Sequence, residues 1–185
     1  MEEQISINQL IKEGKSAYQQ GDFIAAARAF DAAADSYHVS GDALNVAEMR
    51  NNSSVAYLQA GEVQAALSAV EGTPAIFAST GDIRRQGMAL GNLGAALEAM
   101  NRLDEAAKAY SQSAELLESI GENDLRAYVM KSLSALQMRS GRHIEALSTM
   151  SAGLDGIEHP KPQQRLLKRL LKVPFKFLGK PSDQS

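Results

Sequence analysis

Three asparagines carry the most specific chemistry in this chain. Asn51, Asn52 and Asn92 each offer a carboxamide, which both donates and accepts hydrogen bonds. Such a group can pair with the backbone of an extended peptide without demanding a particular side chain. Asn52 and Asn92 stand 40 residues apart in equivalent surroundings, the spacing either of a ladder along a groove or of a residue that simply suits the helix–helix geometry of a repeat. Lys15 and Lys131 add positive charge suited to acidic side chains or a terminal carboxylate. Met88, Gly91 and Ala95, with Gly87 and Gly94 beside them, leave one segment nearly bare, so that either a partner's backbone could come close or neighbouring helices could pack tightly.

Reactive groups that could converge on a substrate are missing. The chain has no cysteine, which removes disulfides, thiolate nucleophiles and Cys-ligated zinc. His38, His143 and His159 lie far apart in phase, whereas a zinc site needs three or four converging ligands. No Ser-His-Asp set, phosphate-binding glycine loop or paired carboxylates can be assembled. The sequence therefore points away from an enzyme, and no metal or cofactor is expected.

The elements that must position these groups repeat every 40 residues. Gly21, Gly61, Asn101 and Gly141 fall on one grid, and Gly41, Gly81 and Gly121 on a second, offset by half a period. Between them recur Ala26, Ala66, Ala106 and Ala146, then Phe30, Val70, Tyr110 and Met150, then Tyr37, Phe77, Leu117 and Ile157. Self-similarity at this period marks a stacked array, in which each unit buries its apolar face only against its neighbours. Within a unit the apolar residues follow helical spacing, as in Leu103, Ala106, Ala107, Tyr110, Ala114 and Leu117. Asp22, Asp42, Asp82 and Asp104 stand at or near helix starts, where the macrodipole favours them. The pattern predicts helices over 4–20, 23–39, 42–60, 63–79, 83–100, 103–120, 122–140 and 143–157. Gly72-Thr73-Pro74 should kink or split the fourth, and Gly153 and Gly156 should weaken the eighth.

Hydrophobic residues make up 44% of the 185 and charged residues 22%, enough for ordinary burial. The acidic start Met1-Glu2-Glu3-Gln4 has no apolar run behind it, and no stretch of about 18 apolar residues follows, so a cytoplasmic protein is expected. Residues 1–160 hold 12 basic against 21 acidic residues, a net of -9, which argues against nucleic acid as a partner of the array. Residues 161–185 hold seven basic residues against Asp183 alone, a net of +6.

Gly14-Lys15-Ser16-Ala17-Tyr18-Gln19-Gln20-Gly21, followed by Ala26 and Phe30, resembles the tetratricopeptide repeat, as does Asn92-Leu93-Gly94 with Leu97, Asn101, Ala106 and Tyr110. The match recurs four times over roughly residues 4–158. The usual repeat is about 34 residues. The longer version here is similar to the subtype of Pins-type polarity adaptors and, more loosely, of kinesin light chains. Glu13 and Ser53 stand where the family has Leu, Arg50 where it has a large apolar residue, and Gln137 where it has an aromatic.

The resemblance implies an all-α fold, a right-handed α-solenoid of four such helix pairs plus a C-terminal capping helix. The array would occupy 1–160 in units of about 4–40, 41–80, 81–120 and 121–158, with the basic capping helix and tail in 161–185. It also implies a non-enzymatic scaffold that binds a peptide or helix of a partner protein in a concave groove lined by the first helix of each pair. Carried onto this chain, the groove residues are Asn8, Ile11 and Lys15, then Asn51, Asn52 and Val55, then Met88, Gly91, Asn92 and Ala95, then Tyr128, Lys131 and Ala135. At the positions of the family's carboxylate clamp stand Ile11, Lys15, Asn52, Met88 and Asn92, of which Asn52 alone matches.

In the tail, Leu166, Leu167, Leu170 and Leu171 share a helical face, with Arg165, Lys168, Arg169 and Lys172 towards the other, and Pro174 should end the helix. Four leucines docked on the eighth helix could contribute up to about 6–12 kcal/mol before entropy costs, and the net basic charges about 1 kcal/mol each at an anionic surface. The two gains are comparable, and it is the family resemblance, with its terminal capping helix, that implies a cap. The alternatives are a peripheral membrane adaptor that uses the same basic amphipathic tail, with Phe175 and Phe177 as contacts, or self-association.

Overall fold

In the computed structural model, residues 6–157 and 159–177 are described, with side chains as far as Leu171. Every element is helical: α1 (Ile7–Gln20), α2 (Phe23–Val39), α3 (Ala43–Ala60), α4 (Val63–Val70), α5 (Thr73–Ser79), α6 (Ile83–Ala99), α7 (Leu103–Ser119), α8 (Asn123–Arg139), α9 (His143–Asp155) and α10 (Pro162–Phe177). No helix among the described residues is long and apolar enough to cross a membrane.

The turns explain why the helices start and stop on a grid. Gly21, Gly41, Gly61, Gly81, Gly121 and Gly141 all take φ between 72° and 82°, a left-handed conformation open to glycine at little cost. Asn101, at φ 60°, is the non-glycine residue that adopts it, and asparagine tolerates this region better than other side chains. The next residue starts the following helix. Asp22, Asp42 and Asp82 each accept the backbone N–H three residues on, at 3.1, 3.1 and 2.9 Å. Backbone hydrogen bonds on Asp42 and Asp82 hold both carboxyls below the usual aspartate range.

The fourth predicted helix is split. Glu71 is extended and Gly72 left-handed (φ 86°), after which Pro74 occupies the first turn of α5, where its missing N–H costs nothing. The interruption leaves Phe77 fully buried with Ala47 and Ala89, whereas Tyr37, one period earlier, stays partly exposed.

Packing runs from neighbour to neighbour along the array: α1 on α2, α2 on α3, α3 on α4 and α5, these on α6, then α6 on α7, α7 on α8 and α8 on α9. The first helices α3, α6 and α8 also touch one another in sequence. That places them on the inner side, where the stack is tighter. The alanine grid forms the contact layer, with Ala26, Ala66, Ala106 and Ala146 essentially inaccessible.

One position, repeated at 14, 54, 94 and 134, shows how the units vary without losing register. Gly14 and Gly94 receive the rings of Phe30 and Tyr110 so closely that an added Cβ would lie 2.8 and 2.7 Å from ring carbons. Ser54 and Ser134 occupy the same position in the other two units. Their hydroxyls donate to the carbonyls of Ala66 and Ala146 at 2.8 and 2.7 Å. There the facing residue is Val70 or Met150 instead of a ring. Departures from the repeat are matched in space at Arg50 but not at Gln137. Arg50, in place of an apolar residue, pairs with Asp31 and Asp35 at 2.9 and 2.8 Å. Gln137, in place of an aromatic, leaves its buried Oε1 without a partner.

Two expectations for the tail are corrected. Only Leu171 is buried, against Leu154 and Ile157, while Leu166, Leu167 and Leu170 remain exposed. The sequence shows the apolar face of α10 but not its angle of approach, which turns an edge of that face towards α9. Pro174 also fails to stop the helix, which continues to Phe177. A proline this near the end removes one hydrogen bond of the ladder and leaves the others in place. The side chains of Lys172, Phe175 and Phe177 lie outside the described residues.

Candidate functional site

The thirteen expected groove residues all lie on α1, α3, α6 and α8, and none is fully buried. The structure does not gather them into one site. Met88, Gly91, Asn92 and Ala95 of α6 meet Tyr128 of α8 around a pocket of about 190 Å³. Asn8, Ile11 and Lys15 lie apart on α1, where Ile11 packs into the α1–α2 core. Asn51, Asn52 and Val55 on α3 and Ala135 on α8 lie outside the pocket lining.

The pocket is built by spacing on two helices and a floor from a third. Leu125, Tyr128, Val129 and Ser132 form one stripe of α8, and Tyr110 and Leu117 of α7 close the bottom. Gly91 keeps it open, since a Cβ there would come within 3.3 Å of Val129 Cγ2 and 3.5 Å of Ser113 Oγ. Tyr110 is fixed from below by donating its hydroxyl to Glu98 Oε2 at 2.8 Å. Burial, aided by that carboxylate, pushes its phenol well above the ordinary tyrosine range. Arg139 of α8 pairs with the other oxygen of Glu98, tying the two units together at the edge of the site.

The asparagines divide into two kinds. Asn92 Nδ2 donates to Asn51 Oδ1 at 3.2 Å, and Asn51 Nδ2 donates to the carbonyl of Ala47 at 3.3 Å. Their carboxamides therefore link α6 to α3. The ladder runs through Asn51 where the sequence spacing had suggested Asn52. Asn52 makes no side-chain hydrogen bond among the described residues. Of the two readings open for Gly87 and Gly94, a bare surface for a guest or tight packing of neighbouring helices, the second is the one seen, since they admit Leu117 and Tyr110 from α7. Close helix packing accounts for both.

Beyond Tyr128, which is 72% exposed, a larger depression of about 700 Å³ opens between α8, α9 and α10. Its apolar floor comes from Ala127, Met150, Leu154 and Ile157, and Gln164 and Leu167 of α10 form a wall. Lys131 and Lys161 line it, with Asp124 the one carboxylate in the lining among the described residues. Sequence reading missed most of these residues. The α8 stripe at i, i+3, i+4, i+7 was a usable signal for the smaller pocket. The larger one depends on how α10 docks, for which no local signal exists. No group of three or more His, Asp or Glu that could hold a metal occurs among the described residues.

The sequence matches no family model, and no curated protein matches it. Among 53 matching chains of solved structures is one of Podosopora anserina described as the nearly identical TPR-like repeats of a putative kinesin light chain. It superposes with a TM-score of 0.71 at 15% identity, over 98% of this chain and 100% of the other. The likeness shows the fold: an α-solenoid of TPR-like helical repeats.

Proposed function

We propose that the chain is a non-enzymatic scaffold that holds an α-helix or extended segment of a partner protein against the inner face of α6 and α8. The observation that carries this reading is the apolar pocket bounded by Met88, Gly91, Ala95 and Val129, with exposed Tyr128 at its lip. A pocket of this size admits one bulky apolar side chain, and an aromatic at the rim is the residue type that most often dominates such contacts. Past Tyr128 the lining turns basic at Lys131 and Lys161, so the guest segment carries acidic residues beyond its apolar anchor. Asn52, with its carboxamide uncommitted, supplies a backbone contact towards the N-terminal units.

The test is photo-crosslinking from position 88 and from position 39, which lies on α2. The captured segment is then titrated as a synthetic peptide against the parent chain, Tyr128→Ala and Gly91→Leu. Tyr128→Ala should weaken binding by at least about 30-fold, and Gly91→Leu should block the pocket. Crosslinks arising equally from position 39, or unchanged affinity in both variants, would remove the inner face as the binding site.

A further inference from the structure

Helix α10 has two edges with different fates. Its inner edge is committed: Leu171 is buried against α9, and Lys168 Nζ sits 2.8 Å from Asp155 Oδ1. Its outer edge is bare. Leu166 and Leu170, one turn apart, are 60% and 58% exposed, and exposed Arg165 and Arg169 flank them. Arg165 Nε donates to the carbonyl of Pro160, which steadies the start of this edge. No acidic residue occurs between Lys161 and Pro181.

We propose that this outer edge seats on an anionic lipid surface while the inner edge keeps hold of the array. Capping and membrane contact then belong to opposite sides of one helix and do not compete. Charge and shape select the occupant. Paired leucines between arginines match a surface that accepts apolar groups and carries diffuse negative charge. A second copy fits poorly, because two α10 helices laid face to face would set arginine against arginine. Away from α10, exposed apolar residues such as Val39, Ile120 and Ile144 are on separate helices or turns. The array, with a net of -9 over residues 1–160, is repelled by the same lipids and stands away from them, its inner face unobstructed. This inference is independent of what the groove holds.

The experiment uses the full chain and vesicles of phosphatidylcholine, with or without about one third phosphatidylserine. The chain should pellet with the anionic vesicles alone and be released by salt. Arg165→Gln and Arg169→Gln should each lower the partition coefficient about fivefold. Leu166→Gln with Leu170→Gln, which keeps every charge, should lower it at least about tenfold. Because the chain has no tryptophan, Leu170→Trp gives a clean reporter whose emission should shift to the blue on anionic vesicles, whereas Val39→Trp on α2 should not respond. Unchanged circular dichroism confirms that these exposed substitutions leave the fold intact. Equal pelleting with both vesicles overturns the proposal, as does a silent Leu170→Trp reporter. A concentration-dependent doubling of mass abolished by the leucine pair overturns it too, in favour of a second copy.

Discussion

The contact between Gly94 and Tyr110 makes a sharp prediction, because the protein already contains the alternative solution. A Cβ on Gly94 would stand 2.7, 2.8 and 3.0 Å from Cδ1, Cε1 and Cγ of Tyr110, where carbon contacts prefer about 3.5–4.0 Å. The ring cannot retreat easily, being nearly inaccessible and anchored to Glu98. Overpacking of this kind costs about 1–3 kcal/mol. Better helix propensity returns about 0.5 kcal/mol of that for serine, so Gly94→Ser alone should lose about 0.5–2.5 kcal/mol. Tyr110→Val removes most of a buried ring and should lose about 2–4 kcal/mol. Together they recreate the Ser54–Val70 pairing. The new hydroxyl lies within reach of the Ala106 carbonyl, as Ser54 reaches Ala66, and the space vacated by the ring takes up the added atoms. The double variant should therefore be more stable than the sum of the singles predicts, by about 1–3 kcal/mol. Urea unfolding followed by circular dichroism, with hydrogen exchange of α6 and α7, measures all four corners of the cycle. Additivity within about 0.5 kcal/mol would refute the reasoning, showing that neighbouring helices absorb each change separately.

The remaining predictions concern charge. Asp82→Ala should destabilise by about 1 kcal/mol at neutral pH through loss of the cap. Since the folded-state pKa of Asp82 is lowered from 3.8, its contribution is present above that value and fades as pH falls through the folded value. The gap between parent and variant in thermal melts should therefore close in acid; a gap that persists there would exclude the carboxylate as its origin. Asp31 accepts from both Tyr57 and Arg50, whereas Asp35 meets Arg50 alone and is 71% exposed. Asp31→Ala should therefore cost about 1–2 kcal/mol and Asp35→Ala no more than about 0.5 kcal/mol. Equal losses would contradict this division. The hydrogen bond to Asp31, with burial, raises the Tyr57 phenol to about 12. Its stabilisation is complete below the ordinary tyrosine value near 10 and is lost as pH rises through about 12. Alkaline titration of phenolate absorbance should show one late component disappearing in Tyr57→Phe.

Legibility in the sequence followed the range of the forces involved. The turn glycines, the aspartate caps and the α4–α5 break were readable because each depends on residues within one helical turn. The first-helix location of the groove residues was readable because the repeat phases them. What failed was anything set by the meeting of two helices at a particular angle. Asn51 rather than Asn52 faces Asn92, a difference of one position that rotates a side chain by about 100° around the helix. Gly87 and Gly94 could be read as room for a guest or as close helix packing, and Leu117 and Tyr110, which fill that room, decide for packing. The leucines of α10 gave the right amphipathic face but not how much of it docks.

These failures share a cause that bears on function. In a stack where each helix touches only its neighbours, an unusual residue can be compensated only by something adjacent. Gly94 is answered by Tyr110, Arg50 by Asp31 and Asn92 by Asn51. Residues so matched are held by folding and cannot be varied alone, whatever their chemistry promises to a ligand. Tyr128, Lys131 and Asn52 lie on the same inner helices, yet none of them provides its side chain as a hydrogen-bond or ion-pair partner among the described residues, whereas Met88 Sδ accepts from Arg84 at 3.7 Å. The identities of Tyr128, Lys131 and Asn52 can change without disturbing the frame, so on the proposed reading they are the positions at which the inner face would acquire specificity.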